Sequence, residues 1–262
     1  MKLKKLLLIL IAFGLCACSS PVLPDKEAAQ PVVIYLVRHG KTWFNTTGQV
    51  QGWSDTPLTE EGQHQADAVG IGLKDVEFVA AYTSDLGRVR ETAARILAEN
   101  THDTPELFEL TGLREWNFGG YEGRNDAEMW GALFDTHGLG EFNPALMCEL
   151  LGSMTNQELA DEIAANDELH AAETYDEIAS RTETAINQII EECKALGGGN
   201  VLVVSSGGAI RTILNNIDPE RTQLDDVKNC SVTQIIIEGD HITLADISNT
   251  SYLETGLEAL NK

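Results

Sequence analysis

Apolar and polar positions along this chain follow two periods in turn. Val32-Val33-Ile34-Tyr35-Leu36-Val37 is a short run rich in β-branched residues, which predicts a buried strand. Phe78 to Tyr82 predicts a second strand, and Val201-Leu202-Val203-Val204 a third, apolar enough to be covered on both faces. Two more are expected at about Val232–Glu238 and His241–Ile247. Helical spacing fills the intervals. Thr59 is placed to cap a helix whose first turn holds Glu60 and Glu61. Ser84-Asp85 is placed to cap another that carries Leu86, Val89, Ala93, Ile96 and Leu97 on one face. A long helix then presents Tyr175, Ile178, Ala179, Thr182, Ile186, Ile189, Ile190 and Cys193 at core spacing and ends at Gly197-Gly198-Gly199. Ser205-Ser206-Gly207-Gly208 leads from the third strand into a helix over Ala209 to Leu214. From about Tyr121 to Thr174 the pattern weakens into acidic helical stretches separated by Gly138, Gly140, Pro144 and Gly152, which reads as an inserted cap. The alternation predicts an α/β fold: a three-layer α/β/α sandwich with a mostly parallel central sheet and a small helical cap insertion.

The first residues have another purpose. Lys2, Lys4 and Lys5 precede an apolar core from Leu6 to Leu15, the plan of a secretory leader and too short to span a bilayer comfortably. Leu15-Cys16-Ala17-Cys18 resembles a bacterial lipobox, in which the cysteine after a small residue is lipidated and becomes the new N-terminus. Cys18 fits better than Cys16, which follows Leu15. The alternative is an ordinary cleaved signal with incidental cysteines. The expected organisation is a lipoprotein signal peptide over 1–17, a proline-containing solvated tether over 18–30, and one domain over 31–262 with its cap at about 121–174. The mature protein is expected outside the cytoplasm, lipid-anchored to a bacterial membrane.

Charge narrows the partners. The formal charge of −23 becomes −26 once Lys2, Lys4 and Lys5 leave with residues 1–17, which hold no acid. So acidic a surface argues against nucleic acid and anionic lipid, and any phosphate site must gather its positive charge locally. Cys148, Cys193 and Cys230 form no CxxC pair and no zinc-like pattern; Cys193, on an apolar helix stripe, reads as a buried thiol.

The candidate chemistry sits where strands open into loops, since ligands of open α/β sheets bind beyond the carboxyl ends of the strands. Arg38-His39-Gly40 follows the first strand: His39 can act as a nucleophile, Arg38 can hold an oxyanion, and Gly40 lets backbone approach. Ser205-Ser206-Gly207-Gly208 is a small-residue turn at a helix N-terminus, where free N–H groups and the dipole favour an anion. Arg88 opens the helix after the second strand. Glu115, in Leu113-Arg114-Glu115-Trp116-Asn117-Phe118-Gly119-Gly120, is an acid among aromatic neighbours, suited to donate a proton if buried.

Together these segments resemble the histidine phosphatase superfamily, the phosphoglycerate-mutase-like proteins. The resemblance runs from about Val32 to Leu253. It rests on Leu36-Val37-Arg38-His39-Gly40 with Thr42 and Asn45, on Gln51 to Gly62, on Thr83 to Arg88 with Thr92-Ala93, on Leu113 to Gly123, and on Val201 to Gly208. It implies a two-step phosphoryl transfer on a small phosphorylated substrate. In it His39 attacks phosphorus, Arg38 and Arg88 hold the non-bridging oxygens, Glu115 protonates the leaving alcohol, and Asn45, Ser206 and Gly207 line the substrate pocket. The resemblance implies no cofactor and no metal, since the arginines supply the positive charge.

One position departs from it. Where the family usually reads Ser-His-Gly, this chain reads Ser205-Ser206-Gly207, and the missing imidazole is a charged donor to the phosphoryl group. None of His64, His102, His137, His170 and His241 lies in a matching segment. Lys41 stands where the family often has an acid or amide, and either adds charge near the pocket or points into solvent. Two readings stay open: a phosphomonoester hydrolase attenuated at Ser206, or a catalytically inactive phospho-ligand- or anion-binding lipoprotein of the same fold. Retention of nucleophile and acid favours the enzyme; export and the missing histidine argue against a mutase. In the cap Arg124 is the only arginine, which argues against highly phosphorylated ligands. Trp43, Trp53, Trp116 and Trp130 either line an apolar entrance or pack the core.

Overall fold

A computed structural model describes residues 30–220 and 227–262. The leader, Cys18 and the tether as far as residue 29 lie outside the described residues. Six strands form one sheet: β1 (Val32–Arg38), β2 (Phe78–Thr83), β3 (Leu107–Glu109), β4 (Gly199–Ser205), β5 (Val232–Glu238) and β6 (His241–Asn249), in the order β3-β2-β4-β1-β5-β6. The β1–β4, β4–β2 and β2–β3 pairs are parallel, while β5 joins β1 and β6 joins β5 antiparallel. The sheet is mostly parallel, as the strand pattern predicts.

Alternation along β4 shows why the run Val201–Val204 carries no polar position. Val201 and Val203 pack into one core with Ile186, Ile189 and Ile190 of α7 (Tyr175–Ala195) and Ile210, Ile213 and Leu214 of α8 (Gly207–Ile217). Leu202 and Val204 face the other core, with Ala66 and Val69 of α2 (Glu60–Gly72), Val89, Ala93 and Ile96 of α3 (Gly87–Ala98), and Tyr252 and Leu253 of α9 (Ser251–Leu260). Burying each such side chain is worth about 1.5–3 kcal/mol, and both faces contribute. Between α3 and α7 lie α4 (Asp126–Thr136), α5 (Met147–Gly152) and α6 (Asn156–Asn166), around a third cluster built on Trp116, Met129, Leu133, Phe134, Leu150, Leu159 and Ile163. A short α1 (Trp43–Thr47) follows the β1 loop. No helix among the described residues is long and apolar enough to cross a membrane.

Register brings the site together. β1 and β4 pair in step from Val32–Gly199 to Arg38–Ser205, so both strands end at the same sheet edge. His39 extends the ladder one step further by donating its backbone N–H to the Ser205 carbonyl at 3.0 Å.

Two local expectations are corrected. Ser84-Asp85 does not cap α3: the helix starts at Gly87, Asp85 is engaged by Arg114, and the Gly87 amide is capped from elsewhere in the chain by Asp55 Oδ2 at 2.6 Å. α8 starts two residues earlier than expected, at Gly207, because Ser206 already has the extended backbone of a cap residue. α9 and the three-residue β3 are additional to the sequence reading. Gly256 lowers helix propensity within α9, yet a side chain there would collide with the Ala68 backbone of α2, so the glycine allows the two helices to touch. Thr59 does cap α2, accepting the Gly62 amide at 3.0 Å. Cys193 is the buried thiol its stripe predicts, and burial pushes it up to about 11.

Candidate active site

His39 is buried, 3 % exposed, with Nδ1 2.8 Å from its neighbour's carbonyl, Gly40 O. A carbonyl only accepts, so Nδ1 carries the proton and Nε2 keeps a lone pair. Burial, then Arg88, then Arg38 hold the imidazole well below the ordinary histidine value, which keeps it neutral. Its main chain is fixed by Ser205 O and by Asn229, whose Nδ2 donates to His39 O at 2.8 Å. Gly40 brings backbone close, but to the protein itself: a side chain there would collide with Gly62 of α2.

Arg38 ends β1 and donates Nη1 to Val227 O at 2.6 Å, its guanidinium lying beside Gly207. Arg88 is fully buried on the first turn of α3. Its Nη1 donates to Ser54 O at 3.0 Å and to Asp55 Oδ1 at 2.9 Å, and its Nη2 donates to Gly52 O at 2.7 Å. Nη2 also donates a long hydrogen bond to Ser206 Oγ at 3.5 Å, which leaves Nε buried without a partner among the described residues. The Nε side of the guanidinium is the charged donor that suits an oxyanion. Thr92 ties the two cationic segments together, accepting Gly40 N at 3.1 Å and donating to Arg88 O at 2.7 Å.

The α8 N-terminus is occupied differently from the expectation that its amides are free for a ligand. Gly208 N donates to Glu115 Oε2 and Ala209 N to Oε1, both at 2.9 Å, and Trp116 N donates to Oε1 at 2.9 Å. The helix end therefore receives the protein's own carboxylate. Glu115 is 8 % exposed, and a side chain at Gly208 would collide with it.

The structure thus groups His39, Arg38, Arg88, Glu115, Ser206 and Gly207 at the ends of β1 and β4 and the start of α8. Asn45 makes no recorded hydrogen bond to them. It is exposed on α1, with Oδ1 accepting Thr42 N at 3.2 Å in a capping box. Lys41 pairs with Glu61 at 2.7 Å. His64, His102, His170 and His241 are exposed, and His137 pairs with Glu162 in the cap. Of the tryptophans, Trp116 is core and donates to Thr212; Trp43 is exposed, and Trp53 lies under the Arg114 guanidinium.

Two supporting residues carry no role in the sequence reading. Arg181 of α7 uses all its donors: Nη1 on Gly112 O and Arg114 O, Nη2 on Glu115 O and Glu173, and Nε on Glu173. The signal was a lone cation between Ile178 and Ala185 on an otherwise apolar helix face. Glu122 accepts the amides of Gly52, Trp53, Ser54 and Phe118. It lies inside the Leu113–Gly123 stretch but far in sequence from the Gly52–Ser54 turn it holds.

Comparison with known proteins agrees with this geometry. Residues 34–145 and 151–250 match the family described as the histidine phosphatase superfamily (branch 1). A metal-independent phosphoserine phosphatase of Arabidopsis thaliana is 29% identical over 231 residues, covering 88% of this chain and 87% of that protein. A broad-specificity phosphatase of Saccharomyces cerevisiae is 27% identical over 244 residues, covering 90% and 94%. The crystal structure of a phosphoglycerate mutase from Bacillus anthracis superposes with a TM-score of 0.79 at 37% identity, covering 88% of this chain and 98% of that one. With the family matched over most of the chain and the fold shared with a solved relative, this protein belongs to the histidine phosphatase superfamily.

Proposed function

We propose that this protein is a phosphomonoester hydrolase working through a phosphohistidine on His39, with a rate attenuated at Ser206. The observation that carries the reading is the neutral, buried His39, with Nε2 unprotonated, held between Arg38 and Arg88, whose Nε has no partner among the described residues. In the first half-reaction Nε2 attacks phosphorus, the N–P bond forms, the ester P–O bond breaks, and Glu115 gives its proton to the leaving oxygen. In the second, water attacks phosphorus, Glu115 takes the proton back, and the N–P bond breaks to release phosphate. Oε1 of Glu115 already accepts two amides and Oε2 one, so Oε2 has the lone pair for that proton. Arg38 and Arg88 neutralise the phosphoryl oxygens throughout.

Ser206 offers one neutral hydroxyl where an imidazolium would otherwise donate. Losing one preorganised donor to a developing oxyanion costs about 3–4 kcal/mol, roughly a hundred- to a thousandfold in rate. That supports slow turnover. Ser206 itself, a neutral hydroxyl beside Arg88, favours a second reading, a phospho-ligand- or anion-binding protein without turnover. The similar proteins are named phosphatases and a mutase; the hydrolase reading is preferred because Ser206 removes a donor that returning a phosphoryl group to product would also need. The test is hydrolysis of an aryl phosphate by the full chain. Turnover that disappears in His39→Ala, with a trapped phosphohistidine in the parent, is expected; activity equal in the two would sink the proposal.

The leader supports placing this activity outside the cytoplasm on a lipid anchor at Cys18, with the domain beginning near residue 31. Labelled palmitate should enter the parent and not Cys18→Ala; label in both would exclude that anchor.

A further inference from the structure

We propose that Glu122 is a positioning residue for Arg88, acting through the single peptide group that joins Gly52 to Trp53. The proposal rests on the reading of the His39 pocket as an oxyanion site. Trp53 N donates to Glu122 Oε1 at 2.8 Å, and the carbonyl at the other end of that same peptide group, Gly52 O, accepts Arg88 Nη2 at 2.7 Å. A carboxylate on the N–H end polarises the peptide and makes its oxygen a better acceptor for a cation. Glu122 Oε2 accepts Ser54 N at 2.7 Å and Gly52 N at 3.2 Å, so three consecutive amides of the turn converge on one anion. The turn's outward carbonyls, Gly52 O and Ser54 O, then hold both terminal nitrogens of Arg88.

The consequence is directional. With Nη1 taken by Ser54 O and Asp55, and one Nη2 proton by Gly52 O, the guanidinium cannot turn about its long axis. Its Nε is left without a partner among the described residues, and Nη2 reaches the pocket residue Ser206 at 3.5 Å, so the Nε–Nη2 side is the one a phosphoryl group can meet. The recorded hydrogen bonds of Glu122 all come from backbone amides: its fourth partner is Phe118 N at 3.0 Å, which ties the turn to the segment carrying Glu115. Gly52 belongs to the device, because a side chain at 52 would collide with Glu122 Oε1 and Trp116 O.

The experiment is a double-mutant cycle on the full chain, read as orthovanadate affinity by titration calorimetry. Glu122→Gln keeps the shape but loses the charge and one acceptor, and should weaken vanadate about tenfold, the effect of one charge-assisted hydrogen bond. In an Arg88→Ala background the same change should cost less than twofold, because the group it positions is gone. Equal losses in both backgrounds, or unchanged affinity in Glu122→Gln, would overturn the proposal. If Arg88→Ala alone leaves vanadate binding intact, the oxyanion pocket itself is wrong and the positioning role falls with it. Should Glu122→Gln not fold, the parent answers alone: the Trp53 backbone amide resonance must move when vanadate binds, while the Leu169 and Ala171 amides stay still. A motionless Trp53 amide overturns the proposal.

Discussion

The His39 pocket has two sides built on different physics. On the sheet side, Arg38, His39 and Ser206 follow β1 and β4, whose residues from Val201 to Val204 are fully buried and whose register sets Arg38 opposite Ser205. Position there follows from apolar burial and ladder hydrogen bonds, and a one-residue slip would turn every side chain to the wrong face. On the cap side, Glu115 sits on irregular backbone held by ions: Arg181 on three carbonyls and Asp167 on four amides. A loop has no ladder to complete its backbone groups, so buried charges complete them instead. The sheet side should therefore govern what binds and how fast chemistry runs; the cap side should govern where the proton donor stands.

The largest effect is expected on the sheet side. Ser206→His restores a charged donor where Arg88 Nη2 now faces only a hydroxyl, and should raise aryl phosphate turnover roughly a hundred- to a thousandfold. No rise would mean the pocket has been rebuilt around Ser206 for binding alone. Next in size is the cap side. Arg181→Met strands three carbonyls and the Glu173 carboxylate, so kcat should fall about ten- to a hundredfold, with a melting temperature several degrees lower. Vanadate affinity should stay within about twofold in that variant, because Arg38, His39 and Arg88 are not attached to Arg181. A matching loss of vanadate affinity would break the division between the two sides.

A smaller effect, visible in a pH profile, sharpens the sheet side further. An ordinary histidine near 6.5 would lose about threefold of its neutral form between pH 7 and pH 6. His39 is held well below that value by burial and by Arg88 and Arg38, so its nucleophilic form should persist and kcat/KM should keep no His39 limb in that interval. The sign for stability is opposite. Below about 6.5 the unfolded chain takes up a proton that folded His39 refuses, so this group lowers stability as pH falls toward its folded value. Melting temperatures of the parent should fall relative to His39→Ala over the same interval; parallel curves would show that His39 is not depressed.

The two sides were not equally legible in the sequence. Strand ends announce themselves, because an apolar run that stops at Arg38-His39-Gly40 or at Ser205-Ser206 has a local period and a visible boundary. The β1–β4 register then brings residues 38 and 205 together as parallel pairing requires. Glu115 was legible as an acid in a notable stretch, but its docking on α8 was not, since the same amides read equally well as a ligand site. Glu122, Arg181 and Asp167 were illegible for a common reason. Their partners are backbone groups, which every residue has, so sequence alone cannot say which amide or carbonyl an ion will reach. The Ser84-Asp85 cap failed in the same way: Asp85 went to Arg114, and a distant Asp55 took over the helix end.

Asp167 gives the smallest expected effect on function and the cleanest check on the cap side. It is 1 % exposed and accepts Gly120 N and Leu169 N on Oδ1 and Ala171 N and Ala172 N on Oδ2, all between 2.8 and 3.1 Å. Burial works against its charge, yet the four amides outweigh burial and hold the carboxyl below the usual aspartate value. A depressed carboxylate contributes fully above its unfolded value near 3.9, and that contribution is lost as pH falls through the folded value. Asp167→Asn presents an N–H to amides that need an acceptor, and should lower stability by about 1–3 kcal/mol at pH 7. The deficit against the parent should shrink below about pH 4, where the unfolded parent begins to take up a proton that the folded carboxylate still refuses. Vanadate affinity and turnover, measured well below the melting temperature, should match the parent, because the amides Asp167 holds, at Gly120 and within 169–172, belong to none of the residues grouped in the site. A loss of turnover without a loss of stability would mean that the cap's pins do more than hold Glu115's segment in place.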